Sequence, residues 1–211
     1  MKIVVFFGTR PELIKLFSII KECKDSKEIE LIICNTGQHK EMLTDLLNFF
    51  NVKPDYDLSA MKGNQSLASL TSRLLLKIDN LLIKEKPDLA IVHGDTTTSM
   101  SAALSCFYNN VKVCHIEAGL RTSSIKSPWP EEMNRRFNTL ITDLHFAPTK
   151  LASTNLIKEG VCKNRIIVTG NTVIDALLFT KKNIDQDVEL SKLLEKKFNF
   201  LSKTKKTLLI T

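Results

Sequence analysis

The chain has 211 residues, 43% of them apolar and 25% charged, with a formal net charge of +7. Such values fit one large globular domain or two small ones and exclude disordered, collagen-like and disulfide-scaffolded chains. From Lys181 onward eight lysines face four acids, so four of the seven excess charges lie in that tail. The remainder has no Lys/Arg stripe and only two tyrosines and one tryptophan to stack on bases, so nucleic acid is not an expected partner. No apolar run approaches the roughly 20 residues of a membrane span, so no membrane partner is expected either. The apolar stretch after Lys2 is too short for a signal peptide. Five cysteines with no CxxC spacing, two of them (Cys34 and Cys114) inside apolar runs, point to buried thiols, a reducing cytoplasm and no zinc.

The first element is a strand, Ile3–Phe7, followed by Gly8-Thr9-Arg10-Pro11-Glu12 and a helix over Pro11–Lys24. Backbone amides at that helix start, the positive end of its dipole, Arg10 and Lys15 make an anion site suited to a phosphate or diphosphate. It is neither GxGxxG nor a P-loop, so no nicotinamide or ATP site is supported and no cofactor is expected. A strand at Leu31–Cys34, a helix at Lys40–Phe50 and a long helix at Ser66–Lys84 follow. In the last, Leu67, Leu70, Leu74, Ile78, Leu81 and Leu82 share a face, and Pro87 stops it. The strand Leu89–Val92 runs into His93-Gly94-Asp95-Thr96-Thr97-Thr98 and a helix at Thr98–Tyr108. Asp95 at that strand end can cap the helix or bind a sugar. The strand Val111–Ile116 runs into Glu117-Ala118-Gly119-Leu120-Arg121, where Glu117 can pair with Arg121 or face a ligand. Ser127-Pro128-Trp129-Pro130 then delivers Glu131 and Glu132 to the first turn of a helix at Pro130–Ile141 that carries Arg135. A strand at Leu144–Ala147, a helix at Thr149–Glu159, a strand at Ile166–Thr169 and a helix at Thr172–Lys182 follow, then a solvated lysine-rich helix and a last strand at Leu208–Thr211.

Near-continuous apolar strands alternating with helices predict an α/β fold with a doubly wound parallel sheet. Gly8, Gly37, Gly94, Gly119 and Gly170 each fall just after a predicted strand, at the sheet edge where such folds bind ligands. Residues 1–182 read as the main domain, and 183–211 as a connecting helix and the first strand of a second. Three acids with Arg10, Arg121 and Arg135 at that edge suit proton transfer beside a departing phosphate. The four histidines show no metal-ligand spacing.

FGTRPE with Lys15, TGQH at Thr36–His39, PDYDL, HGDTTT, HIEAGLRT, SPWPEEMNR and TGNTVIDAL resemble, in order and along essentially the whole chain, the bacterial non-hydrolysing UDP-N-acetylglucosamine 2-epimerases. The resemblance implies a Rossmann-like half of a two-domain GT-B arrangement, with the nucleotide sugar between the halves. It implies Arg10, Lys15, Asp95, Glu117 and Arg135 as substrate-binding residues and Asp95, Glu117 and Glu131 as catalytic acids. It also implies a homodimer and a UDP-sugar substrate. The reaction implied is interconversion of UDP-N-acetylglucosamine and UDP-N-acetylmannosamine by elimination and re-addition of UDP. Epimerisation of another UDP-sugar, hydrolytic release of the free sugar, and a non-catalytic remnant are the alternatives.

Family members are nearly twice this length. Their strand corresponding to Leu208 leads to a Gly-His-Arg-Arg-Glu-type segment with an active-site histidine, so this chain is expected to carry half of the site and to be inactive alone. A regulatory substrate site, held in some members by residues resembling Gln38, His39, Gln65 and Glu131, has Asn64 where a basic residue would help.

Overall fold

The computed structural model describes residues 1–37, 41–202 and 204–209. Contacts divide the chain into two units, Met1–Thr172 and Val173–Thr211. In the first, the strands are β1 (Lys2–Phe7), β2 (Glu30–Asn35), β3 (Tyr56–Asp57), β4 (Leu89–His93), β5 (Lys112–Ile116), β6 (Leu144–Ala147) and β7 (Ile166–Val168). They alternate with helices α1 (Arg10–Asp25), α2 (Glu41–Phe49), α3 (Leu67–Glu85), α4 (Thr97–Tyr108), α5 (Glu131–Ile141) and α6 (Lys150–Lys158), with a 3-10 turn at Lys163–Arg165. Every strand pair is parallel, in the order β3-β2-β1-β4-β5-β6-β7. This is the doubly wound, Rossmann-like α/β sheet that the alternation predicted. The winding reverses between β1 and β4, so the loops leaving those strands diverge and open a crevice at their carboxyl ends.

The core explains why the strands read as continuous apolar runs. Successive side chains of a strand point to opposite faces, and both faces of this sheet are covered. Val4, Phe6, Ile32, Cys34, Ala90, Val92 and Val113 pack with Leu70, Leu74, Ile78, Leu81 and Leu82 of α3 and Ala102, Ala103 and Cys106 of α4. The alternate residues Val5 and Phe7 are also fully buried, as are Leu13 and Leu16 of α1. Leu67, placed by the sequence on the apolar face of α3, is only half-buried and lines a cavity instead. Helix α3 ends with Lys86 in the left-handed region, φ 48°, its N–H donating to Leu82 O as an αL cap, and the helix goes no further because the residue before Pro87 is disfavoured in the right-handed helical region. Cys34 and Cys114 are buried free thiols, and burial pushes the Cys114 thiol up to about 11.

Two strands differ from the sequence reading. Strand β3 was not predicted, because two residues make no apolar run. It is fixed by backbone hydrogen bonds from Asp55 N to Ile33 O and from Leu58 N to Asn35 O, each 2.8 Å. The predicted strand at Leu208–Thr211 is not formed by Leu208 and Leu209, which carry no strand pairing and are more than four-fifths exposed; Ile210 and Thr211 lie outside the described residues. The second unit contains α7 (Val173–Gln186) and α8 (Val188–Lys197), the latter capped by the Asp187 carboxylate accepting from Leu190 N. No residue of α8 is buried, as expected of a solvated lysine-rich helix. Among the described residues no helix is long and apolar enough to cross a membrane.

Candidate active site

The loop after β1 is built by a capping box. Thr9 is the N-cap of α1 and Glu12 stands three residues on, an arrangement in which each side chain satisfies an amide that the helix leaves orphaned. Glu12 does more than cap. Its Oε2 accepts from Gly8 N, Thr9 N and the Thr9 hydroxyl, each at 2.9 Å. Its Oε1 accepts at 2.6 Å from the hydroxyl of Thr96, the N-cap of α4. One carboxylate therefore joins the loops that leave β1 and β4, on either side of the winding reversal. Burial pushes the Glu12 carboxyl above its ordinary range, against the pull of these four donors.

Asp95, Thr96, Lys15, His93, Glu117, Glu131, Asn134 and Arg135 converge with Glu12 on a cavity of about 560 Å³ at the carboxyl ends of β1, β4 and β5. Each of two acids there has one oxygen held. Oδ2 of Asp95 accepts from Arg135 Nε at 2.9 Å and Nη2 at 2.6 Å. Oε1 of Glu117 accepts from Lys15 Nζ at 2.6 Å and Asn171 Nδ2 at 3.0 Å. The other oxygens, Asp95 Oδ1 and Glu117 Oε2, have no hydrogen-bond partner among the described residues; His93 Nε2 lies 3.6 Å from Glu117 Oε2. Burial first, then the charge of Lys15, lowers the His93 ring to about 3, so it stays neutral. Glu117 adopts φ 63°, a left-handed conformation that costs a non-glycine residue about 1–2 kcal/mol and turns its side chain toward Lys15. Behind them Glu132, fully buried, accepts from Arg135 at 3.0 Å, Arg136 at 2.9 Å and Thr122 N at 3.2 Å. Burial works to raise Glu132, but these donors outweigh it and hold the carboxyl below its usual range.

A family model described as UDP-N-acetylglucosamine 2-epimerase matches residues 21–211. The chain belongs to the UDP-N-acetylglucosamine 2-epimerase family. It is 44% identical over all 211 residues to the UDP-N-acetylglucosamine 2-epimerase of Neisseria meningitidis, of which it covers 56%. The crystal structure of the N. meningitidis UDP-GlcNAc 2-epimerase bound to UDP-GlcNAc matches 98% of this chain with a TM-score of 0.94, over 55% of the other. The Methanocaldococcus jannaschii UDP-GlcNAc 2-epimerase in complex with UDP-GlcNAc and UDP matches 93% with a TM-score of 0.86 at 35% identity, over 54% of that chain. The chain thus spans about half the length of the relatives it matches.

Of the residues that the epimerase resemblance singles out, Lys15, Asp95, Glu117, Glu131 and Arg135 line this one cavity. Arg10, the first residue of α1, is exposed and outside the lining. Gln38 and His39 lie outside the described residues. Gln65 bonds Lys62 N at 3.1 Å and the Arg73 guanidinium, also outside the lining. The Glu117–Arg121 ion pair weighed from spacing does not form. Glu117 turns to Lys15, while Arg121 is bidentate on Glu159 at 2.7 and 2.6 Å and reaches Thr139 at 2.7 Å, bracing α5 and α6 rather than meeting a ligand. The cross-loop role of Glu12 escaped the sequence reading although Thr9-x-x-Glu12 spells a capping box. Asn171 was also missed; its one signal is its place after Gly170 in TGNTVIDAL.

Proposed function

We propose that the chain supplies one wall of an active site interconverting UDP-N-acetylglucosamine and UDP-N-acetylmannosamine. The observation that carries this reading is the convergence of Lys15, Asp95, Glu117, Glu131 and Arg135, from four separate segments, on one cavity. Carbon 2 of the sugar has no adjacent carbonyl, so its proton cannot leave by enolisation. One acid removes that proton while the C1–O bond to UDP breaks, the C–H electrons form the C1–C2 double bond of 2-acetamidoglucal, and UDP departs with the C–O pair. Re-addition of the UDP oxygen to C1, with a proton delivered to the opposite face of C2, completes the inversion. Such a sequence needs two proton-handling groups and a clamp for a departing anion; Asp95, Glu117 and Glu131 are the acids, and Lys15 and Arg135 in the cavity, with Arg10 at the exposed start of α1 outside its lining, the clamp. Gln38, His39 and Gln65 remain the proposed regulatory contacts.

The same reading has the protein working as a cytoplasmic homodimer with neither nucleic acid nor membrane as partner. Its support for self-association is the exposed apolar set on the neighbouring helices α3, α4 and α5, Leu76, Ile83, Phe107, Tyr108 and Leu140, and sedimentation equilibrium tests it.

The activity is tested by joining the chain to the part of the N. meningitidis relative that it does not cover and supplying UDP-N-acetylglucosamine in deuterated water. Deuterium enters carbon 2, and Asp95→Asn or Glu117→Gln lowers turnover by about 10²–10⁴, the range of a general acid–base group. The 211-residue chain alone gives no exchange, because a half-open site leaves water to screen the charges that stabilise departing UDP. Near-normal turnover in both amides would return the acids to a structural role, and release of free sugar would replace epimerisation by hydrolysis.

A further inference from the structure

The described lining of the cavity carries four carboxylates, Glu12, Asp95, Glu117 and Glu131, against two cations, Lys15 and Arg135. An incoming anion meets a wall with an excess of negative charge, and neither cation is waiting for it. Lys15 is on Glu117 at 2.6 Å, with side-chain exposures of 22% and 13%. Arg135 is on Asp95 at 2.6 Å, with exposures of 15% and 28%, and on buried Glu132. In so partly dry a setting a cation does not leave its partner without another anion to receive it. Glu131 differs: it makes no ion pair among the described residues.

We propose that Glu117 and Asp95 are internal counter-anions that a diphosphate displaces, Lys15 exchanging Glu117 and Arg135 exchanging Asp95 for phosphate oxygens. This rests on reading the cavity as a diphosphate site and adds to it an order of events. The acids become available to the sugar when the diphosphate is seated, not before. Both pairs are built for such an exchange, because each acidic residue keeps one other anchor, at the carboxylate of Glu117 and at the backbone of Asp95, when its cation leaves. Asn171 still holds Glu117 Oε1, and the backbone oxygen of Asp95 still accepts from Asn134 Nδ2 at 2.8 Å. Glu132 in turn keeps Arg135 in place during the transfer. The arrangement also favours a ligand with two anionic centres, since a single phosphate can recruit one cation only at the cost of leaving the other pair closed.

The test is calorimetric titration of the 211-residue chain with inorganic diphosphate and with inorganic phosphate. Removing an internal competitor should strengthen binding. Glu117→Gln and Asp95→Asn each bind diphosphate about three- to tenfold more tightly than the unsubstituted chain, the worth of one partly exposed ion pair. Glu131→Gln removes the same charge from the same wall without freeing a cation, and changes affinity less than about twofold. Thermal melts of each variant accompany the titrations. Weaker or unchanged binding by both Glu117→Gln and Asp95→Asn overturns the exchange while leaving the anion site standing, and so does equal tightening by all three, which would make the effect one of net charge. No binding by the unsubstituted chain overturns the anion site and the exchange together.

Discussion

Withdrawing a carboxylate from water costs several kcal/mol unless donors take the place of the solvent, and Glu12, 1% exposed, has four. Glu12→Ala leaves the Gly8 and Thr9 amides and the Thr96 hydroxyl without their acceptor, and should destabilise the chain by about 2–4 kcal/mol in urea unfolding. Glu12→Gln keeps an oxygen for the two amides and can present its NH₂ to the Thr96 oxygen, so it should cost about 1 kcal/mol. Equal losses for both would mean that charge, not the bridge between loops, is what the site uses. The sequence made half of this residue legible. The Thr9-x-x-Glu12 spacing is a local rule of helix starts, whereas the contact with Thr96 spans 84 positions and exists only because β1 and β4 are neighbours. The same holds for Glu117, whose partner Lys15 is 102 residues away.

At the scale of elements, the glycines after strands show where pattern ends and packing begins. Gly119 and Gly170 look alike in sequence and both have positive φ, 87° and 82°. A Cβ on Gly119 would lie 2.3 Å from the carbonyl oxygen of Ala152 in α6, whereas a Cβ on Gly170 meets nothing within 4 Å. Gly170→Ala should therefore cost only the left-handed strain, about 1–2 kcal/mol. Gly119→Ala must also push α6, with its Ala152 and Leu156, off Ala118 and Ala147, so it should cost at least about 2 kcal/mol more. Chemical unfolding of the two variants checks the difference, and equal losses would show that α6 shifts freely. Helix and strand placement was legible because both faces of the sheet are covered, which makes each strand an apolar run and each helix an amphipathic one. Strand β3 was not, since two residues held by neighbouring backbone carry no such pattern.

For the whole molecule, the sheet fixes a property that no motif announces. His93, His115 and His145 sit at or beside the strand ends, 4%, 1% and 0% exposed, and His115 and His145 are register partners in β5 and β6. Burial, the first cause in each, lowers them to about 3, 4 and 4 respectively. In the unfolded chain they return to about 6.5. Above pH 6.5 neither state binds these protons and the histidines do not affect stability. As pH falls from about 6.5 to about 4, the unfolded chain takes up protons that the folded chain refuses, so stability declines, by up to about 1.4 kcal/mol per pH unit for each histidine. Glu12, raised by burial, works in the opposite sense because its folded form binds a proton first, but it is one group against three. His145 is the sharpest probe, since neither ring nitrogen has a hydrogen-bond partner among the described residues. His145→Leu, of similar volume, should lose little stability at pH 7.5, where a neutral unpaired imidazole contributes no bond. It should also decline less steeply between pH 6.5 and 4 than the unsubstituted chain. Urea midpoints measured across that range decide it: an unchanged pH slope would mean that the His145 ring keeps its ordinary titration, through solvent that reaches it in solution.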